Sequence, residues 1–256
     1  SLTPDGGPII GETPEVKGLW SVAAIWIKEA PAFGRVAAEW MTRGYSEIDA
    51  HSANIARFFD HSRTLTHVRA RTGESFNKMY GIVHPSEQYE SVRNARISPF
   101  FARQQEQGVV YFETAGWERP QWYQSNEKLI EVYGDRVMPR YAEWDSRWWS
   151  PVINAEHLAM RDRVGLVDLT AFSIFDFGGA GVLDYIQGMV VNQMNVSVGR
   201  AVYTPMLEPQ GGFKADLTIM RLAEDRFRVV TGCATGNIDK KWFCDHMPED
   251  GSVRLE

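Results

Sequence analysis

Asp216 stands where a side chain of its type has the strongest claim to chemistry. The stretch 199–232 opens on Gly199-Arg200, continues AVYTPMLEPQGGFKADLTIMRLAEDRFRVVTG, and predicts three strands and two turns. A first strand over 202–207 runs into the turn formers Glu208-Pro209-Gln210-Gly211-Gly212, a second follows over 213–222, and Ala223-Glu224-Asp225 leads into a third over 227–230. In the middle strand one carboxylate falls among Phe213, Leu217, Ile219 and Met220. A strand needs no acid there, and burying one without a partner costs several kcal/mol. The residues alone leave two readings open: a carboxylate hydrogen-bonded to local backbone after a Gly-Gly turn, or one placed to meet a ligand.

The same block carries a family likeness. YTPML, then Gly-Gly, three residues and Asp, then a strand ending in VVT, resembles the folate-binding domain of glycine-cleavage aminomethyltransferases. That domain also forms the C-terminal half of dimethylglycine and sarcosine dehydrogenases. The resemblance implies that Asp216 is catalytic, lying beside tetrahydrofolate and assisting one-carbon transfer, with Tyr203 as a neighbour in the folate pocket. The transferases usually carry two adjacent acids here, whereas this chain has Ala215-Asp216, which points to the dehydrogenase branch.

The elements around this block are mixed. Apolar runs predict strands over 16–20 and 22–27, the second buried, and Pro31 opens a helix through Phe33, Val36, Ala37, Trp40 and Met41 that stops at Gly44. A short helix over 53–60 with Ile55, Phe58 and Phe59 inward, a helix over 65–80, a helix from Ser98-Pro99 to Gly108 and a strand over 109–114 follow. The basic run 63–71 reads as a solvated face. Trp144, Trp148 and Trp149 read as core rather than as a stacking platform, and a helix over 154–164 carries Asn154 as its cap. A strand over 173–177 and a helix over 182–191 complete the frame, and Gly178-Gly179-Ala180-Gly181 reads as a tight strand-to-helix turn rather than a phosphate cradle.

Four further segments are similar to the same family. TPDGGPIIGETPEVKGLW with the following helix resembles the end of its flavin-binding domain, although Glu29 and Ala32 replace a frequent His and Gly. YGIVHPSEQYESVRNARISPFF and GVVYFETAGWERPQWY resemble its connecting module, and VGLVDLTAFSIFDFGG resembles the start of the folate domain. The resemblance covers essentially the whole chain. It implies an α+β fold in three parts: the C-terminal remnant of an α/β flavin-binding domain (1–62), a small mixed connecting module (63–124), and the N-terminal half of an aminomethyltransferase-like folate-binding domain (125–256). It also implies that Asn192 lines the folate site, while Asp168 is mainly a turn former.

The function implied is part of an enzyme dependent on FAD and tetrahydrofolate. It demethylates a small N-methyl amine of the dimethylglycine or sarcosine type and passes the one-carbon unit to folate before a reactive iminium escapes. No Gly-x-Gly-x-x-Gly opens a helix, so the nucleotide-binding half of the flavin site is expected outside these residues and the chain alone is expected to be inactive or nearly so. The alternatives are a stand-alone aminomethyltransferase of the glycine-cleavage type and a non-catalytic scaffold or subunit.

Composition sets the outer bounds. The 256 residues are 44% apolar and 23% charged, which describes a globular chain with room for a real core. A net charge of −6 and a pI near 5.6 argue against nucleic acid as partner. No apolar run reaches the roughly 20 residues that span a bilayer. Cys233 and Cys244 form no disulfide framework and read as small hydrophobes, and His51, His61, His67, His157 and His246 show no metal-ligand spacing, while His84 reads as a histidine hydrogen-bonded inside a domain junction rather than as an acid–base group. The setting expected is cytoplasmic, or the mitochondrial matrix in a eukaryote.

Overall fold

The computed structural model describes residues 2–143 and 147–256; Trp144 lies outside the described residues. In chain order the strands are β1 (Ile9–Glu12), β2 (Trp20–Ala23), β3 (Val109–Thr114), β4 (Trp117–Tyr123), β5 (Ser173–Gly178), β6 (Ala201–Leu207), β7 (Phe213–Ala223), β8 (Arg226–Thr231) and β9 (Arg254–Leu255). The α-helices are α1 (Ala30–Arg43), α2 (Leu65–Tyr80), α3 (Phe101–Glu106), α4 (Leu129–Tyr133), α5 (Pro151–Asp162), α6 (Val182–Met189) and α7 (Gly236–Asp245). The mixture is α+β, and the chain divides into two compact units, residues 7–59 with 172–256 and residues 2–6 with 60–171.

The first unit is built on an antiparallel sheet in the order β6-β7-β8-β5-β9. Ala215, Leu217 and Ile219 of β7 alternate inward with Phe227 and Val229 of β8 and Phe177 of β5, as a period-two pattern requires. Val182, Tyr185 and Ile186 of α6 and Phe243 of α7 close over this face to make the main core. Each fully buried side chain of this size contributes about 1.5–3 kcal/mol. The other face stays open, and Asp216 lies exposed on it with Tyr203 and Ile174. Its place among apolar neighbours is therefore only sequential: Leu217 and Ile219 point the other way, and no burial penalty attaches to the acid.

The β1–β2 hairpin and α1 form a satellite of this unit, with Ile10, Val36 and Ala37 as its small core. Pro31 does open α1, and Gly44 ends it in the left-handed conformation (φ 81°), its N–H donating to the Trp40 carbonyl. The buried strand expected over 22–27 is not formed. Val22 and Ile27 are exposed, at 48% and 96%, because Ala24 adopts φ 56° and ends the two-stranded pairing. Residues 53–60 do not make one helix either. They form short 3-10 turns that bury Ala53 and Ala56, while Phe58 and Phe59 are only half-buried.

In the second unit α2 spans the expected residues, but its inner face is polar: His67, Arg71 and Ser75. Arg71 is 5% exposed and holds Glu113 of β3 at 2.6 Å, so the basic run is not simply a solvated face. β3 pairs with β4, which accommodates Pro120 beside a bulge. Helix α5 starts earlier than expected. Ser150 caps it, accepting from the Val152 N–H at 3.3 Å, with Pro151 in the first turn. Asn154 instead accepts from the Met138 N–H at 2.8 Å.

Candidate functional site

Tyr203 on β6 and Asp216 on β7 share the open sheet face. The strands pair Pro205 with Asp216 and Tyr203 with Thr218, which makes Tyr203 and Asp216 diagonal neighbours. A tyrosine spans that gap. Its hydroxyl donates to Asp216 Oδ2 at 2.9 Å, although Tyr203 is 65% exposed. This hydrogen bond to the carboxylate pushes the phenol above its ordinary pKa. Asp216 Oδ1 remains as an acceptor on the open face.

Asn192 joins the pair from the loop after α6. Its side-chain amide donates to the Tyr203 carbonyl at 2.8 Å, and its backbone N–H donates to the hydroxyl of buried Thr204 at 3.0 Å. Gln187 of α6 clamps the same loop from both ends of its amide, donating to the Asn192 carbonyl at 3.1 Å and accepting from the Met194 N–H at 2.8 Å. Tyr203, Asp216 and Asn192 thus come together. Thr204 and Gln187, which hold Asn192 in place, were not legible as site residues: a threonine in a strand and a glutamine on a helix carry no distinguishing pattern.

A second acid on this face is spent on structure. Asp176 of β5 takes a bidentate pair from Arg228 at 2.7 and 2.8 Å, with Arg226 at 3.1 Å, and the Arg228 hydrogen bonds hold its carboxyl below the usual range. Among the described residues Asp216 has no such cation. An exposed carboxylate with one oxygen on a phenol and the other free is suited to accept an N–H or a proton from a nitrogen-rich ring.

The remaining candidates resolve as structural. Gly179 N–H donates to the Asp225 carbonyl and Gly181 N–H to the Ser252 carbonyl, so two donors of the turn 178–181 are taken by backbone. At Gly179 (φ 128°) an added Cβ would sit 2.2 Å from the Ser252 carbonyl oxygen. This glycine-rich turn does not fit a dinucleotide pyrophosphate. Asp168, in the second unit, closes a turn by accepting from the Thr170 N–H and hydroxyl and takes a third bond from Gln104. His84 stacks on Trp148 at 5.2 Å, and Glu118 is buried in an ion pair with Arg93. Cys233 is buried as expected, whereas Cys244 is exposed. Among the described residues no His/Cys/Asp/Glu group could hold a metal ion, and no helix is long and apolar enough to cross a membrane.

Comparison with known proteins places the chain in a family. The GCVT N-terminal domain model matches residues 100–256, and the FAD dependent oxidoreductase central domain model matches residues 43–98. The chain belongs to the GCVT N-terminal domain family. A 4-methylaminobutanoate oxidase (formaldehyde-forming) of Paenarthrobacter nicotinovorans is 34% identical over 234 residues, covering 90% of this chain and 27% of that protein. The mitochondrial sarcosine dehydrogenase of Mus musculus is 30% identical over 246 residues, covering 87% and 26%. The mitochondrial pyruvate dehydrogenase phosphatase regulatory subunit of the same species is 26% identical over 262 residues, covering all of this chain and 29% of its own length. The chain spans under a third of the length of each of these relatives.

Proposed function

We propose that the chain is the connecting and folate-contacting part of an enzyme dependent on FAD and tetrahydrofolate. That enzyme oxidatively demethylates a small N-methyl amino acid of the dimethylglycine or sarcosine type. The observation that carries this reading is the Tyr203–Asp216 hydrogen bond on an open sheet face, with Asn192 fixed beside it. Support comes from the order of the two matched models along the chain and from relatives named as an oxidase of a methylamino acid and a sarcosine dehydrogenase. The three-part organisation at 1–62, 63–124 and 125–256 belongs to the proposal. So does a cytoplasmic setting, or the mitochondrial matrix in a eukaryote.

Tetrahydrofolate, when bound, supplies the nitrogens that take up the one-carbon unit. Asp216 acts as the catalytic acceptor: its free oxygen orients a ring N–H and takes its proton as the new bond forms. Tyr203 keeps Asp216 aimed by donating to its other oxygen, and Asn192 holds the Tyr203 backbone against the loop. The open face offers Thr218, Met220 and Val230 as a half-buried floor for a planar ring.

A second reading is a non-catalytic subunit, favoured by the alignment of the whole of this chain to 29% of a regulatory subunit. A stand-alone aminomethyltransferase leaves the match over 43–98 without a role. Calorimetric titration with tetrahydrofolate separates them. We expect weak binding in the parent, and at least tenfold weaker binding after Asp216→Ala. Equal affinities remove Asp216 from the site, and no heat with either protein favours the scaffold reading.

A further inference from the structure

A cleft of about 680 Å³ opens within the first unit, on the side of the sheet away from Asp216, and its volume suits a small organic ligand. We propose that it binds a planar aromatic carboxylate, the ring lying against Trp20 and Trp242 and the carboxylate meeting Lys214. Nothing in this proposal depends on the reading of Asp216.

The aromatic walls are preset. Trp20 of β2 meets Trp40 of α1 edge-to-face at 5.6 Å, which fixes one side, and Trp242 of α7 supplies the other. The cation is aimed by a defect in the sheet. Met206 pairs with Ala215 but Leu207 pairs with Phe213, so Lys214 is the extra residue of a β-bulge. In an unbroken strand Lys214 would share the face of Asp216. The bulge turns it to the other side, where its ammonium sits 4.1 Å from the centre of the Trp242 ring.

Lys214 is poorly matched for a lysine so enclosed. Its side chain is 8% exposed, and among the described residues its one hydrogen-bonding carboxylate is Glu208, at a long 3.3 Å. An ammonium carries three donors. Lys241 nearby is different, held by Asp245 at 2.7 Å and by Glu12 at 3.5 Å. Lys17 and Arg43 stand exposed among the lining residues, with Arg43 3.7 Å from Glu47, so Lys214 is the enclosed cation of the cleft with the fewest hydrogen bonds. A tryptophan-walled cleft with an enclosed, under-bonded ammonium suits an anion with a flat apolar body.

The test is calorimetry on the full chain with 2-naphthoate, its uncharged analogue 2-naphthamide, and the aliphatic dicarboxylate glutarate. We expect naphthoate to bind, with the other two at least about tenfold weaker. Lys214→Met should weaken naphthoate about tenfold, Lys214→Arg should largely restore it, and Asp216→Ala should leave it unchanged. If circular dichroism shows Lys214→Met to be unfolded, the double variant Lys17→Met/Arg43→Met decides through its own loss of at least about threefold. Absence of naphthoate binding, equal binding of the amide, retention of affinity in the folded lysine variants, or loss of affinity in Asp216→Ala would each overturn the proposal.

Discussion

Tyr203 reaches diagonally across the β6–β7 pair to donate its hydroxyl to Asp216 Oδ2 at 2.9 Å, in full view of solvent. Because the bond favours the protonated phenol, Asp216→Asn should lower the Tyr203 pKa towards its ordinary value. Phenolate absorbance of the single variant against Tyr203→Phe isolates this tyrosine. Both residues are exposed, so neither change should shift the thermal midpoint appreciably. An unchanged phenol titration would show that the bond does not persist in solution.

Arg71 and Glu113 form the most deeply enclosed ion pair of the second unit's α2–β3 contact, with side chains 6% and 9% exposed. Removing one partner leaves a charge without a counterion, so Arg71→Met should destabilise by about 3–5 kcal/mol in urea unfolding. The double change Arg71→Met/Glu113→Leu should recover most of that loss. A single variant as stable as the parent would contradict the placement.

His61 and His67 pack edge-to-face at 5.3 Å beside this pair. Burial lowers both pKa values below 6.5, helped by their mutual charge at His61 and by Arg71 at both. The unfolded chain then binds more protons than the folded one, so stability is full above the unfolded pKa and falls as pH drops through the window below 6.5. Thermal midpoints measured from pH 7.5 to pH 5 should decline, and His67→Gln should flatten the decline. A midpoint that rises on acidification would reverse the sign assigned here.

The turn at Gly179 offers a third check on packing. Gly179→Ala forces a Cβ against the Ser252 carbonyl and should cost on the order of 1–3 kcal/mol. Inorganic pyrophosphate should not raise the thermal midpoint of the parent, because the N–H groups of Gly179 and Gly181 are already bonded. Protection by pyrophosphate would restore the phosphate-cradle reading.

What was legible in the sequence followed local periodicity and punctuation. Helix 65–80 and strand 109–114 lie where their patterns place them, and the two turns frame β6, β7 and β8 within a residue or so of expectation. Errors arose where a local pattern met a long-range partner. The apolar run 22–27 resembled a core strand, yet it sits in a two-stranded hairpin with nothing to bury it and a left-handed Ala24 to end it. Pro120 hid β4, which a two-stranded pairing with a bulge tolerates. Arg71 looked solvated because Glu113 lies 42 residues away. The site was legible only in part: the family likeness singled out Tyr203, Asp216 and Asn192, but their contact depends on a strand register that spacing alone does not specify.

The most direct test of the central claim is a backbone chemical-shift map of the full chain titrated with 5-formyltetrahydrofolate. The expected result is a contiguous set of shifts at Asn192, Tyr203, Asp216 and Thr218, diminished in Asp216→Ala. Shifts confined to residues off the open face of β6 and β7, or the same shifts in the variant, would contradict the assignment of this face to folate.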